Sequence, residues 1–137
     1  MEKAAFALRD YKFKKVSMDL SVIDDKSDIV VDFKPWGEFD KKTNMFFLSI
    51  EFTAKYKNKT DKDFIYIESW SAFQFNQEVS LETVPEFFYA NSIAIIFPYI
   101  RAFVSTVTLQ ANTDALVLPT MNLTALKDVL KKNSRSV

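Results

Sequence analysis

The stretch Met45–Lys57, MFFLSIEFTAKYK, alternates apolar and polar residues from Leu48 to its end. Phe46, Leu48, Ile50, Phe52, Ala54 and Tyr56 share one side, while Ser49, Glu51, Thr53, Lys55 and Lys57 share the other. A period of two sustained this long predicts an antiparallel strand with one face in a core and one in water. NKTDKD (58–63) reads as a turn, and FIYIESWSAFQFN (64–76) as the next strand. Ile65, Ile67, Phe73 and Phe75 are expected to point inward, with Glu68 and Gln74 outward and Trp70 on the outer side. Upstream, YKFKKVSMDLSV (11–22) predicts a strand with Val16, Met18, Leu20 and Val22 on its inner side. IVVDF (29–33) predicts another, ended by Pro35 and Gly37.

Past residue 80 the period changes. Ile93, Ile96, Phe97, Ile100, Phe103, Val104 and Val107 recur at helical spacing, with Asn91 or Ser92 as the expected cap. Pro98 should kink this helix or mark the join of two, and a short helix is expected around Pro85–Ala90. NTDALVLPTMN (112–122) reads as extended. A last amphipathic helix places Leu123, Leu126, Val129 and Leu130 on one side and Lys127, Lys131 and Lys132 on the other. Strands followed by helices predict the α+β class: a four-stranded antiparallel sheet with the long helix and the C-terminal helix on one face. The 137 residues fit a single domain, 1–137.

The composition removes much chemistry. The chain has no histidine and no cysteine, hence neither the commonest general base and metal ligand nor a thiolate nucleophile. Its one glycine, Gly37, leaves no room for a phosphate-cradling Gly-rich loop. Asp24 with Asp25, and Asp61 with Asp63, sit in polar turns and read as solvated loop charge. No cofactor, metal site or catalytic residue is therefore expected. Eighteen basic side chains balance 18 acidic ones, which leaves no nucleic-acid footprint at the level of the chain. The N-terminal MEKAAFALRD has no long apolar run, so a secretory signal is not expected and a cytoplasmic location is.

From Phe87 to Thr113 the only charged residue is Arg101. A surface helix normally carries a charged stripe opposite its apolar one. Here the opposite side holds Ala94, Pro98, Arg101, Ala102, Ser105 and Thr108, so a second subunit is expected to cover it. Membrane insertion is the competing reading, and Arg101 and Pro98 in the middle of the segment weigh against it.

Ile96-Phe97-Pro98-Tyr99-Ile100-Arg101 resembles the I/L-F-P-Y-x-R stretch of SecB, the bacterial protein-export chaperone. Leu116-Val117-Leu118-Pro119-Thr120-Met121-Asn122-Leu123, followed by Leu126, is similar to the family's L-x-L-x-P-x-N-Φ-x-x-L segment, with a one-residue shift between proline and asparagine. The resemblance covers nearly the whole chain, and its specific part is this helical block. It implies a four-stranded sheet with two main helices, assembled as a dimer of dimers. It also implies a holdase that keeps unfolded preproteins in apolar grooves, without catalysis. The implied groove residues are Trp36 and Phe39, in an expected loop after the second strand, Phe87, Phe88 and Tyr89 before the helix, and Leu116, Leu118 and Met121 in the connecting segment. Export-pathway members carry an acidic tail that engages SecA, whereas this sequence closes on the basic KDVLKKNSRSV. The resemblance thus implies SecA as a partner through a tail whose acidic pattern this sequence departs from. Two other readings stay open: a dedicated partner of an antitoxin in a toxin–antitoxin system, as some SecB-like chaperones are, and a carrier of an apolar small molecule.

Overall fold

The computed structural model describes residues 5–119 and 122–137. Four long strands come first: β1 (Phe6–Met18), β2 (Ile29–Asp40), β3 (Met45–Tyr56) and β4 (Ile65–Phe75). Two helices follow, α1 (Glu86–Gln110) and α2 (Thr124–Lys132), and then a short strand, β5 (Ser134–Ser136). The sheet order is β1-β4-β3-β2-β5. The long strands pair antiparallel, and β5 runs parallel to β2. The α+β class holds, with one strand more than expected. Three residues with a Ser-Arg-Ser sequence carry no apolar alternation, so β5 has no signature in the sequence.

β3 and β4 follow their alternation. Phe46, Leu48, Ile50, Phe52, Ala54 and Tyr56 are buried, as are Ile65, Ile67, Phe73 and Phe75. β1 differs. It begins at Phe6 and ends at Met18, and Leu20–Val22 form a 3-10 turn capped by the Asp19 carboxylate. Its register against β4 shifts twice, between Leu8 and Asp10 and between Phe13 and Lys15. Each shift resets the phase, so Phe6 and Leu8, then Tyr11 and Phe13, then Val16 and Met18 lie opposite inward-facing residues of β4. Val16 nevertheless remains 44% exposed.

β2 runs straight through Pro35 and Gly37, where the strand was expected to stop. The Gly37 N–H points outward from the sheet, to the Asn133 carbonyl at 3.2 Å. Pro35, two residues earlier, therefore has its missing N–H on the sheet's edge side, where no ladder bond is lost. Gly37 is needed for close approach: a Cβ there would strike the Phe46 ring. Trp36 and Phe39 consequently lie in a strand, not in a loop, and three positions apart they fall on opposite faces.

α1 is one helix from Glu86 and continues through Pro98. Ser92 is buried within it rather than capping it, with its hydroxyl directed at the Tyr89 carbonyl (3.4 Å). Phe88, Tyr89, Ile93, Ile96, Ile100 and Val104 form a continuous buried side against the sheet, and this packing holds the helix together across the proline. α2 closes the β2 side of the same face with buried Leu130, and Lys131 ties it to Glu86 at the start of α1 (2.7 Å).

The segment after α1 folds back on it. The Thr108 hydroxyl accepts the Leu116 N–H at 2.8 Å and lies 2.9 Å from the Val104 carbonyl, while the Ser105 hydroxyl donates to the Leu116 carbonyl at 3.0 Å. Two hydroxyls on one helix turn thus satisfy both backbone groups of Leu116.

Gly37→Ala is expected to destabilise the chain by about 1–3 kcal/mol through overpacking against Phe46, read as a lower denaturant midpoint. Thr108→Val keeps the side-chain shape but leaves the Leu116 N–H unpaired, and should cost about 1–3 kcal/mol in the same measurement.

Candidate functional site

The sequence motif that stood out divides between two surroundings. Ile96, Phe97 and Ile100 are buried, whereas Pro98, Tyr99 and Arg101 are exposed. The outward side of α1 continues in both directions with Phe87, Ala94, Ile95, Ala102 and Leu109, all exposed. Phe87 is 51% and Leu109 61% exposed, unusual for large apolar side chains in a helix whose middle holds a single charge. Aromatic rings join this side to β1: Tyr11 lies 4.3 Å from Tyr99, and Phe13 stacks on Phe103 at 4.1 Å. The result is an apolar band along α1 and its β1 flank. By length and composition α1 could cross a membrane. Its other side, however, is already committed to the sheet through Phe88, Ile93, Ile96 and Ile100.

Among the residues assigned to a subunit contact, Ala94, Pro98, Arg101 and Ala102 lie on this band. Ser105 and Thr108 do not share that exposure. Ser105 is half-buried and Thr108 fully buried, and both are engaged with Leu116. The residues assigned to a groove also separate. Phe39, Phe88, Tyr89 and Leu118 are core residues. Phe87 is exposed beside Phe6, Leu116 is half-buried at a cleft, and Trp36 is on the far face of the sheet. Met121 lies outside the described residues.

That cleft, of about 210 Å³, sits between the loop before β2 and the segment after α1. Ile23, Ile29, Phe64 and Leu116 line it together with Asp24, Asp25, Asp114 and Tyr56. Burial, then the charges of Asp25, Asp24 and Asp114, push the Tyr56 phenol up. The Asn58 amide, 2.6 Å from Asp24, and the Lys26 N–H hold the Asp24 carboxyl below its usual range. A carboxylate held ionised is a poor general acid at neutral pH. Among the described residues no group of three His, Cys, Asp or Glu side chains could hold a metal ion.

The face of the sheet away from the helices carries a second aromatic group. Phe47 stacks on Trp70 at 5.7 Å, and the Lys12 and Lys14 ammoniums lie 5.7 and 5.6 Å from the Trp70 ring. Trp36, Glu38, Phe47, Glu68 and Trp70 line a hollow of about 320 Å³ here. The alternation of β4 already places Trp70 outward. Phe47 could have been read the same way from β3, since it is the one large ring on that strand's polar side. Further along this face the Tyr66 hydroxyl donates to Glu51 at 2.8 Å, which pushes its pKa up to about 12. The protonated phenol is the bonded form, so this stabilisation is present below pH 10 and is lost as pH rises towards 12. Tyr66→Phe should therefore show a shallower fall in stability than the parent between pH 10 and 12, in urea titrations at fixed pH.

Comparison with known proteins bears on this geometry. No family model matches the chain. Uncharacterized protein MJ0357 of Methanocaldococcus jannaschii is 30% identical over 130 residues, covering 90% of this chain and 83% of that protein. Among solved structures, the SecB-like chaperone Rv1957 of Mycobacterium tuberculosis, in complex with a ChAD peptide from the HigA1 antitoxin, superposes with a TM-score of 0.69. Its identity is 18%, and the match covers 86% of this chain and 88% of that one. The chain thus belongs to the family of the Methanocaldococcus protein, and its fold is SecB-like.

Proposed function

We propose that this protein is a SecB-like chaperone that binds non-native polypeptide segments without catalysis. The observation that carries the reading is the exposed, largely apolar side of α1, with Arg101 as its one charge past the first turn, on a SecB-like fold. A single chain leaves large apolar side chains along it in water, and burying them against another polypeptide is favourable by roughly 25 cal/mol per Å². Part of that surface is assigned to a second copy of the chain, through Ala94, Pro98, Arg101 and Ala102, with a dimer of dimers as the expected assembly. Small side chains at 94 and 102 let two helices approach closely. Client contacts are assigned to Phe87 and Leu116 on the helical side and to Trp36 on the far face of the sheet, while Phe39, Phe88, Tyr89 and Leu118 are packed in the core.

A dedicated partner for one antitoxin is the second reading. The observation in its favour is that the mycobacterial neighbour was solved with an antitoxin peptide. Client breadth separates the two. The purified chain is expected to slow the aggregation of unrelated, chemically denatured proteins; protection confined to one peptide would favour the dedicated partner. An absence of any polypeptide binding would remove both. Ala102→Glu places a charge on the helix side assigned to the second copy. Size-exclusion chromatography with light scattering should show it shift to a smaller species, at unchanged helical circular dichroism. A parent chain that is already monomeric would overturn the assembly.

A further inference from the structure

We propose that β5 is a resident strand on the stretch of β2 edge where an extended polypeptide pairs, and that a bound client takes its place. This rests on the polypeptide-binding reading above and concerns how access is controlled.

The backbone of the β2 edge carries the argument. Gly37 donates to the Asn133 carbonyl at 3.2 Å, and Phe39 accepts the Val137 N–H at 2.9 Å. These are the outward-pointing groups of the strand, and they recur at every second residue. Towards the start of β2 the same row is blunted. Pro35 has no N–H, and the Phe33 N–H is taken by the carboxylate of Asp32 at 3.0 Å. From Phe33 to Phe39, therefore, the edge N–H groups that can serve a partner strand lie where β5 already is. An exposed edge is a template for any extended chain, and natural sheets block it by such devices.

β5 holds this edge lightly. It is three residues long, Ser-Arg-Ser, and brings no apolar side chain to bury. Arg135 is 75% exposed and reaches the Glu38 carboxylate only at 3.6 Å. Val137 is 61% exposed. Its firmest side-chain anchor is the Ser134 hydroxyl, which donates to the Leu130 carbonyl at the end of α2 (2.6 Å).

The surroundings favour a different strand in its place. Arg135 lies opposite Glu38, which lines the hollow with Trp36, Phe47 and Trp70. A client residue in the Arg135 position would stand at the mouth of that hollow, where an aromatic or aliphatic side chain gains burial that arginine does not. The fitting partner is thus a short extended segment with alternating apolar residues and no proline, which would supply the same backbone bonds as β5 and add side-chain contact.

The absence of cysteine makes the test clean. Two variants are compared with the parent chain: one lacking residues 134–137, and Glu38→Cys with Arg135→Cys, which stand opposite each other in register. The probe is a fluorescein-labelled, unstructured peptide of alternating apolar and polar residues without proline, titrated by anisotropy. Removing an internal competitor raises affinity by the reciprocal of the fraction of molecules that are open. The truncated chain should bind about tenfold tighter than the parent. The cysteine pair should bind about tenfold weaker when oxidised than when reduced. Equal affinity of the oxidised and reduced forms overturns the resident strand, and this arm decides even if the truncated chain does not fold. Failure of every form to bind, the reduced and truncated ones included, overturns the polypeptide-binding reading itself.

Discussion

Phe88 sits where the helix meets the sheet, and the rest of the structure is arranged around that contact. Its ring lies 4.8 Å from Phe6, 4.8 Å from Phe46, 4.9 Å from Phe75 and 5.6 Å from Phe73. Those partners come from β1, β3 and β4, so one side chain draws three strands onto the first turn of α1. Edge-on and tilted ring contacts fill space densely and add to the burial of area. Once α1 is fixed there, its length carries Ile93, Ile96, Ile100 and Val104 along the sheet. Much of the large phenylalanine content is spent in this way, inside the chain rather than on its surface.

Fixing one side of α1 leaves the other to be accounted for. The helix is apolar around most of its circumference, and the sheet covers only the part that faces it. The same residue types therefore serve two purposes at neighbouring positions: Ile96 and Ile100 hold the fold, while Ile95 and Tyr99 are exposed and open to a partner. Ser105 and Thr108 show that not every small polar residue on such a helix is spare. Their hydroxyls take up the backbone of Leu116 and keep the returning segment on the helix.

The elements legible in the sequence are those whose faces differ sharply. β3 and β4 could be placed almost to the residue, because one side is buried and the other, Ala72 apart, keeps partial exposure. β1 could not: two bulges change its phase before Val16, and the strand ends at Met18, so an alternation carried on to Leu20 assigns to the core a residue that lies in the 3-10 turn and stays exposed. In β2, Pro35 and Gly37 carry the usual signals for a strand end, although an edge strand tolerates the first and a ring packed over the backbone requires the second. A loop would bring Trp36 and Phe39 into one groove, whereas the strand sends them to opposite faces. β5 left no trace, because backbone pairing of three polar residues depends on where α2 ends. The site was legible in outline, as a helix lacking charge, and not in detail, because which of its residues stay exposed is settled by the docking of α1 on the sheet.

Pro98 has a consequence for anything that covers the outer side of α1. A proline within a helix has no N–H to offer the carbonyl four residues earlier, which here belongs to Ala94. Both residues are exposed. In water that acceptor is satisfied by solvent. Under a dry cover it would need a donor, since an unpaired buried carbonyl is costly. A close-fitting surface must therefore be more than apolar: it has to bring a hydrogen-bond donor to Ala94 or trap a water there, which adds a backbone point of registration to the stripe.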